Sequence, residues 1–351
     1  MNSNQKHRLR VSRRPKGFKE KERFPILPLP ERATSLGTDT LIATLPLFLL
    51  SVYHYGFRPI TIAVISAVMM MGLDIAARSL MKKSSHFDLS PAVSGVIIAL
   101  FLPASSPLWL PIITAVFATA VKVGLGNRLR LSVSHIAISL ILSFILFPGI
   151  MNVIPEVGYK LHPFAVALRN FRAIPASPLE KVLTGYLPDT TTFETFFGLN
   201  SARIGEISGL LLTVGFIYLL IRKTAKPALP LAYILTVGIF AYLFPSLEAA
   251  SDFIAFDGAI YNAFGSNTFL VTVFLMSQPS RAAKTTLGTI ACGIIAGIVT
   301  MLLRGHIAVG LTALIAVILI DIIAPLSDKI IKPTPFGGYI ASSKEENRLE
   351  Q

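Results

Sequence analysis

Residues 90–107 read SPAVSGVIIALFLPASSP, and residues 266–280 read SNTFLVTVFLMSQPS. Each stretch begins at small polar residues and reaches Phe-Leu before a break rich in Pro and Ser. Neither is long enough to cross a bilayer as a regular helix, which needs about 20 apolar residues. Matched short, interrupted segments in the two halves of a membrane protein mark a binding site where the halves meet. We therefore expect the two stretches to face each other near the membrane midplane, around a ligand, a cofactor or an ion.

The composition is that of an integral membrane protein. Of the 351 residues, 53% are hydrophobic and only 15% are charged, which is far from the balance of soluble domains. The first 30 residues have no apolar core ahead of a cleavage site, so no cleaved signal peptide is expected. The single cysteine, Cys292, excludes an intrachain disulfide and a Cys-based metal or iron–sulfur site within this chain. No metal site is predicted.

Ten hydrophobic segments can be drawn along the chain. They span approximately 38–56, 59–77, 89–102, 107–123, 131–148, 204–222, 228–245, 263–277, 285–303 and 306–325. With a cytoplasmic N-terminus, the short inner loops hold eleven Lys or Arg residues, and the short outer loops hold only Arg58 and Arg304. This bias predicts that both termini are cytoplasmic and that the chain lies in the cell (inner) membrane.

These segments divide the chain into five parts. The predicted parts are a basic cytoplasmic tail (1–37), a first five-helix repeat (38–148), an external loop (149–203), a second five-helix repeat (204–325) and a cytoplasmic C-terminal tail (326–351). A loop as long as 149–203 in a compact protein is usually functional or disordered.

The two halves share a pattern. His135-Ile136-Ala137 opens the fifth segment, His306-Ile307-Ala308 opens the tenth, and the broken third segment corresponds to the broken eighth. Because five spans is an odd number, the second half must be inverted relative to the first. The predicted fold is an all-α integral membrane protein of about ten transmembrane helices in two inverted five-helix repeats. The alternative is a chance similarity between apolar sequences.

The basic N-terminal tail does not indicate nucleic-acid binding. The net charge of the chain is +13, and residues 1–37 carry ten Lys or Arg residues against three Glu. Nucleic-acid binding would call for interleaved aromatic residues or a recognisable binding fold, which are lacking. Attachment to the anionic lipid of the bilayer and docking of a partner protein are the two interpretations of this tail.

Three carboxylates are candidates for function. Asp74 and Asp321 fall at the ends of apolar segments, where intramembrane acids often belong to ion pathways. The alternative is solvation, or pairing with Arg78 or Lys329. Glu206 opens the sixth segment, where it either complements the helix dipole or holds a ligand or cation. No catalytic triad, dinucleotide fingerprint or P-loop is present, so no catalytic residue is assigned.

Three stretches resemble one family. Residues 204–223, IGEISGLLLTVGFIYLLIRK, resemble the Ile-Gly-Glu-(Thr/Val)-Ser segment of the D subunit of Rnf complexes and the B subunit of sodium-pumping NADH:quinone reductase. Residues 90–127 resemble the family's Thr-Gly-Leu-Leu-Leu-Ala-Leu, Leu-Pro turn and Gly-Leu-Gly-x-Asn, and residues 269–304 resemble its Phe-Phe-Met-Ala-Thr-Asp-Pro segment and next helix. The resemblance covers about residues 30–330 and implies two inverted five-helix repeats, similar in fold to urea transporters.

The resemblance implies FMN joined to a threonine by a phosphoester, in an external sequence Asp-x-x-(Ser/Thr)-Gly-Ala-Thr. Here residues 189–196 read DTTTFETF. The spacing puts the acceptor at Thr195, with Asp189 and Thr192 at the other motif positions. Phe193 and Glu194 replace the family's Gly-Ala, and the alternative is a polar loop of ordinary threonines.

Further cofactor-binding candidates come from the same motifs. They are Gly205, Glu206 and Ser208 of the Ile-Gly-Glu segment, Gly95 of the first broken segment, and Asn127 of Gly-Leu-Gly-Asn. The resemblance also leaves room for a second, non-covalent flavin. Two family motifs differ here, since Phe-Asn-Pro is replaced after Asn127 and Met-Ala-Thr-Asp-Pro becomes MSQP at 276–279, as in a divergent branch.

The function implied by the resemblance is that of a membrane subunit of an Rnf/Nqr-type redox-driven ion pump. The flavin would pass electrons, coupled to transport of Na⁺ or H⁺, as part of an ion-translocating oxidoreductase with no complete active site in this chain. Expected partners are other membrane subunits, a flavin-bearing external subunit and a flavin transferase. The alternatives are a urea-transporter-like passive solute channel, whose purified form would be colourless rather than yellow, and a flavin-free scaffold subunit.

Overall fold

The protein is described by a computed structural model over residues 30–82, 89–128, 134–165, 173–174, 191–244, 255–265 and 267–330. Most of the basic tail, much of the external loop and the end of the chain lie outside these residues. Asp189, a predicted cofactor-binding residue, lies outside them as well. For Asn127, the structure describes only the helical backbone.

Helices dominate the described residues. They are α1 Pro30–Tyr55, α2 Arg58–Leu80, α3 Ser90–Phe101, α4 Trp109–Arg128, α5 His135–Leu146, α6 Pro148–Met151, α7 Thr192–Phe197, α8 Gly209–Ile221, α9 Ala228–Leu243, α10 Ala255–Phe264, α11 Asn267–Val271, α12 Thr286–Arg304 and α13 Val309–Ile330. A π-helical segment, Thr272–Met276, continues α11. Two short strands, β1 Ile154–Pro155 and β2 Ala173–Ile174, pair in antiparallel fashion.

Several helices are long and apolar enough to cross a membrane. Four such spans are Leu36–Tyr55, Arg58–Leu80, Thr286–Arg304 and Val309–Ile330. The pair Phe256–Phe264 and Asn267–Met276, bent by 46°, would be a fifth if it counts as one span. The other apolar helices, α3, α4, α5, α8 and α9, have shorter apolar stretches. The chain is therefore an all-α, multi-pass membrane protein.

Helix packing follows a similar scheme in the two halves. In the first half, α2 packs on α3 and α4, and α4 packs on α5. In the second half, α9 packs on α10 and α12, and α12 packs on α13. The halves meet where α1 packs on α8 and α5 packs on α13.

The first broken segment ends inside the protein. Helix α3 stops at Phe101, and Leu102 is extended because Pro103 disfavours a helical residue before it. The last carbonyls of a helix lack partners within the helix. Here the Gly205 N–H donates to the Leu100 carbonyl at 2.8 Å and the Ile204 N–H donates to the Leu102 carbonyl at 3.3 Å. A distant backbone segment thus closes the buried end of α3.

The second broken segment is irregular along its length. After the bend, α11 widens into the π-helical turn, where the Ser277 N–H donates to the Thr272 carbonyl at 3.2 Å. The Lys226 N–H then donates to the Ser277 carbonyl at 3.0 Å, so a backbone donor from another segment also satisfies the end of the π-helical segment. Single π-helical turns are frequent at functional sites. All residues of α11 and the π-helical segment are buried.

Arg58 holds the break after α3. Its buried guanidinium donates to the carbonyls of Ala104 at 2.9 Å and Ser106 at 2.8 Å, just beyond the break. It also donates to the carbonyls of His162 at 2.8 Å and Ala165 at 2.9 Å. The Arg58 side chain therefore joins the residues after α3 to the loop that contains His162 and Ala165.

Arg304 has a similar position in the second half. Its guanidinium is buried and donates to the Asn262 amide oxygen and the Thr268 hydroxyl, which lie on the two sides of the bend between α10 and α11. The two arginines that interrupt the charge bias of the outer loops thus point inward, and each contacts one broken segment.

Candidate functional site

A cavity of about 420 Å³ lies between the two broken segments. Its lining includes Ser90, Val93, Ser94 and Ile97 of α3, His135 and Ile136 of α5, Val273 and Phe274 of the π-helical segment, residues 277–281, Leu36, Gly37 and Thr40 of α1, Leu219 of α8, and Thr224 and Ala225. Both broken segments line this one cavity, as the sequence predicts.

The cavity carries a small set of polar groups in a mainly apolar wall. The His135 Nε2 atom lies 3.3 Å from the Ser94 hydroxyl. Arg281 lines the cavity, and its Nε atom is buried without a hydrogen-bond partner among the described residues. A buried donor of this kind is costly unless something accepts from it. The wall therefore suits a ligand that brings hydrogen-bond acceptors.

Asp321 neutralises Arg281. The Arg281 Nη1 atom contacts the two carboxylate oxygens of Asp321 at 2.8 and 2.9 Å, and both side chains are buried. The Ser134 N–H donates to the same carboxylate at 2.8 Å. Asp321 thus pairs across 40 residues rather than with Lys329, its neighbour in the sequence, because the break after the π-helical segment brings Arg281 against α13.

Asp74 is also neutralised. Its carboxylate contacts the Arg78 Nε atom at 2.6 Å, as the sequence alternative suggested, and the Lys122 Nζ atom at 2.8 Å. The second contact joins α2 to α4. Both ion-pathway candidates, Asp74 and Asp321, therefore have their charge committed to cations in this structure.

The Ile-Gly-Glu segment does not open a helix, contrary to expectation. Helix α8 begins at Gly209 and is capped by Ser208, whose hydroxyl accepts from the Leu211 N–H at 3.3 Å and donates to the Phe196 carbonyl at 3.1 Å. Ile204 and Gly205 stay non-helical because their N–H groups bond to the end of α3, and the Glu206 N–H donates to the Arg203 carbonyl at 3.0 Å. Ser208, a predicted cofactor-binding residue, serves here as a helix cap.

Gly205 lies between the two broken segments. A Cβ atom at this position would come within 2.8 Å of Leu100 Cβ and Leu270 Cδ1, and within 3.0 Å of the Leu100 carbonyl oxygen. Contacts this short are not sustained by real Cβ atoms. The close approach of Leu100 in α3 and Leu270 in α11 to the backbone at this position therefore explains the glycine.

Glu206 is the counter-ion of Arg203. The Arg203 Nη1 atom lies 3.2 and 3.3 Å from the two carboxylate oxygens, and the exposed fractions of the two side chains are 3% for Arg203 and 1% for Glu206. The Arg203 guanidinium also lies over the Phe144 ring, 5.1 Å from its centroid, and donates to the Met151 carbonyl. Glu206 is thus a buried structural partner and not an acid of a first helical turn.

Sequence reasoning missed Arg203. A signal was present, because Arg203 and Glu206 stand three residues apart in an otherwise uncharged stretch, 195–221. An isolated pair of opposite charges in apolar sequence is best explained by mutual burial.

Gly95 faces a helix rather than the cavity. A Cβ atom there would lie 2.6 Å from Ala67 Cα and from the Ser66 carbonyl oxygen, both in α2. The glycine permits close crossing of α2 and α3, which is a common role of small residues in membrane helices. Gly95, a predicted cofactor-binding residue, therefore serves the packing of α3 on α2 in this structure.

The described residues of the predicted attachment sequence, from Thr191 onward, form the cap and most of a short helix, α7. The Glu194 N–H donates to the Thr191 hydroxyl at 3.3 Å, and the Thr191 N–H donates to the Glu194 carboxylate at 2.7 Å. The Thr192 hydroxyl donates to the Asp257 carboxylate of α10 at 2.9 Å. A gap of about 10 Å³ separates Thr195 and its neighbours from α10. The gap that faces α10 does not fit a phosphoester-linked FMN, which needs space and cationic or N–H donors.

The comparison with known proteins confirms the resemblance found in the sequence. The family described as the NQR2, RnfD, RnfE family matches residues 25–337. The D subunit of the Na(+)-translocating ferredoxin:NAD(+) oxidoreductase complex of Acetobacterium woodii is 26% identical over 310 residues, which cover 86% of this chain and 90% of that protein.

Two further relatives are each named as the D subunit of an ion-translocating oxidoreductase complex. The one from Aliivibrio salmonicida is 23% identical over 355 residues, covering 90% of this chain and 98% of that protein. The one from Methanosarcina acetivorans is 24% identical over 304 residues, covering 85% and 90%. From the match over residues 25–337, the chain belongs to the NQR2, RnfD, RnfE family.

Proposed function

We propose that this chain is the D subunit of an ion-translocating oxidoreductase complex, in which electron transfer drives Na⁺ or H⁺ across the membrane. The observation that carries the proposal is the alignment with proteins of that name over 90–98% of their own length. Other membrane subunits and a flavin-bearing external subunit would be its partners. The chain would supply a membrane site and no complete active site.

The proposed architecture is ten membrane-crossing segments in two inverted five-helix repeats. The first repeat would comprise α1 to α5, and the second would comprise α8, α9, the bent segment α10–α11 with its π-helical turn, α12 and α13. The parallel packing schemes of the two halves support this layout, as does the meeting of corresponding helices, α1 with α8 and α5 with α13.

The cavity is proposed to hold a non-covalently bound flavin. Small-molecule sites measure roughly 300–1,000 Å³ and combine apolar walls with a few polar groups, and this cavity has both properties. Arg281 would donate through Nε to an acceptor of the ligand, while His135 and Ser94 provide further hydrogen-bonding groups. Flavin, when bound, accepts one or two electrons.

The Nε hydrogen-bond donor of Arg281 is the main contribution of the chain to this site. Asp321 fixes the guanidinium through Nη1, which leaves Nε directed to other partners. A fixed donor costs little reorganisation when negative charge increases on a neighbouring ligand. The ion pair therefore suits a ligand that becomes electron-rich.

Removing both charges of this pair should weaken flavin binding in the cavity. We expect the double variant Arg281→Gln/Asp321→Asn to lower flavin affinity roughly tenfold to a hundredfold, because one charge-assisted hydrogen bond is lost. The measurement is acid-extractable flavin per complex, purified through a tag on this chain together with its partner subunits. The matched control is Lys122→Met, which alters an ion pair that does not line the cavity.

Three outcomes would contradict the proposal. Unchanged flavin in the double variant would exclude the cavity as the flavin site. Failure of the tagged chain to co-purify with other membrane subunits would exclude the D-subunit assignment. A colourless protein that lets a small solute through reconstituted vesicles would favour the passive channel.

The proposed orientation places both termini in the cytoplasm. We expect tags at residues 1 and 351 to be reached by reagents only after the cell membrane is opened, because positive loops are retained inside. A tag near residue 165 should be reached from outside in intact cells. External access to residue 351 would contradict the ten-segment layout.

A further inference from the structure

We infer that this chain carries no covalently attached flavin. The reason is that Thr192 and Thr195, at two of the attachment positions, belong to a capped helix, α7, that packs on α10. Within the proposed function, electrons would then pass through this chain without a flavin bound to Thr195. The inference does not depend on that function, because flavin attachment can be measured without electron transfer.

Glu194 has a defined structural role in α7. Its carboxylate accepts from the Thr191 N–H, and the Thr191 hydroxyl accepts from the Glu194 N–H, which is a reciprocal capping box. The helix ends at Gly198, where φ is +92° and the N–H donates to the Glu194 carbonyl at 2.9 Å. The family's Gly-Ala at residues 193–194 offers no such cap. The substitution thus converts an attachment sequence into a capped helix.

Thr195 is in the middle of this helix and against α10. The remaining gap around Thr195, Phe196, Tyr261 and Phe264 measures about 10 Å³. This is about the space that a single water molecule needs. The Phe196 and Phe264 rings, with centroids 6.0 Å apart, lie edge to face beside it. On the side that faces α10, this arrangement leaves no room for a phosphate bonded to the Thr195 oxygen.

The nearby charges are also unfavourable to a phosphate. The Thr192 hydroxyl is bonded to the Asp257 carboxylate, and Glu194 places a second carboxylate on the same short helix. Within the described part of the chain, neither acid forms a salt bridge with Lys or Arg. A phosphoester would add negative charge beside two carboxylates, which like-charge repulsion opposes.

The exposed surface of α7 differs from what a transferase would read in the family. Phe193 stands where the family has Gly, its side chain is 74% exposed, and its ring stacks on Phe197 at 5.4 Å. An enzyme that accepts small residues before the threonine would meet a phenyl ring and a carboxylate. The small gap at Thr195, the two nearby carboxylates and the exposed Phe193 ring therefore all oppose attachment of flavin.

The test restores the family sequence. The full chain is produced with its complex, a flavin transferase and an acceptor protein of that transferase, which must become labelled in every sample. After denaturation and electrophoresis, flavin fluorescence is measured in the band of this chain and divided by its amount. We expect no fluorescence in the wild type. We expect a clear signal in Phe193→Gly/Glu194→Ala, because a glycine in α7 and the loss of the Glu194 cap would unwind the helix and release Thr195 from α10. Adding Thr195→Ala to that double variant should abolish the signal.

Each other outcome counts against the inference. A fluorescent wild-type band would overturn it, whether or not the signal is lost in Thr195→Ala. A double variant that is present in the membrane and stays dark would overturn the assignment of Phe193 and Glu194 as the cause. Co-purification with the partner subunits is measured in the same samples, so a failure of the proposed function would be seen separately.

Discussion

Gly205→Ala is expected to destabilise the folded chain by about 3 kcal/mol, because overpacking costs roughly 1–3 kcal/mol and a strained buried hydrogen bond adds to it. The new methyl group would enter the space of Leu100 and Leu270, which belong to different broken segments. It would also push the Gly205 N–H away from the Leu100 carbonyl, which terminates α3. The measurement is the midpoint of unfolding of the purified chain in detergent.

Gly72→Ala is the matched control. It makes the same chemical change in α2, but a Cβ atom there meets nothing within 4 Å. Alanine is favoured over glycine in a helix by about 1 kcal/mol, so this variant should unfold at the same point or later. Equal unfolding midpoints for the two variants would show that the Ile-Gly-Glu segment does not wedge between the broken segments.

The broken segments could be predicted from the sequence because their signal is local. Pro103 and Pro279 follow short apolar runs, and proline disfavours a helical conformation in the residue before it. The sequence ends of these runs agree with α3, Ser90–Phe101, and with the π-helical end at Met276. That both runs line one cavity follows from the matched positions in the two halves.

The roles of single residues at the site depend on distant partners, which one sequence does not show. Asp321 binds Arg281 across 40 residues, and the segment at Gly205 pairs with α3, which lies in the other half of the chain. Gly95 was expected to serve the site, yet its close neighbour is α2. A glycine in a sequence indicates close approach but not the approaching element.

The buried arginines illustrate the same limit. Arg58 and Arg304 were the two exceptions to the charge bias of the loops, and both are folded into the protein. A charge rule sorts loops by side of the membrane, and it does not distinguish a solvated arginine from one that donates to buried groups. The exceptions could have been used for a prediction. An arginine in an outer loop that goes against the charge bias is a candidate for a buried structural role.

Glu206→Gln is expected to cost about 3–5 kcal/mol, which is typical when one partner of a buried ion pair is removed. The substitution keeps the shape of the side chain and removes its charge. Arg203 would then stay buried, with the Met151 carbonyl and the Phe144 ring as its described contacts. The unfolding midpoint in detergent should fall far more than in Lys122→Met, because Lys122 is 32% exposed and Asp74 keeps Arg78.

The double variant Arg203→Met/Glu206→Gln distinguishes two causes of destabilisation. One is the burial of an unpaired Arg203 charge, and the other is the loss of side-chain packing. When both charges are removed, no uncompensated ion is left inside, so the double variant should be more stable than Glu206→Gln alone. The interaction energy from this cycle should exceed about 1 kcal/mol, as for residues in direct contact. Simple additivity of the two single variants would mean that Glu206 does not neutralise Arg203.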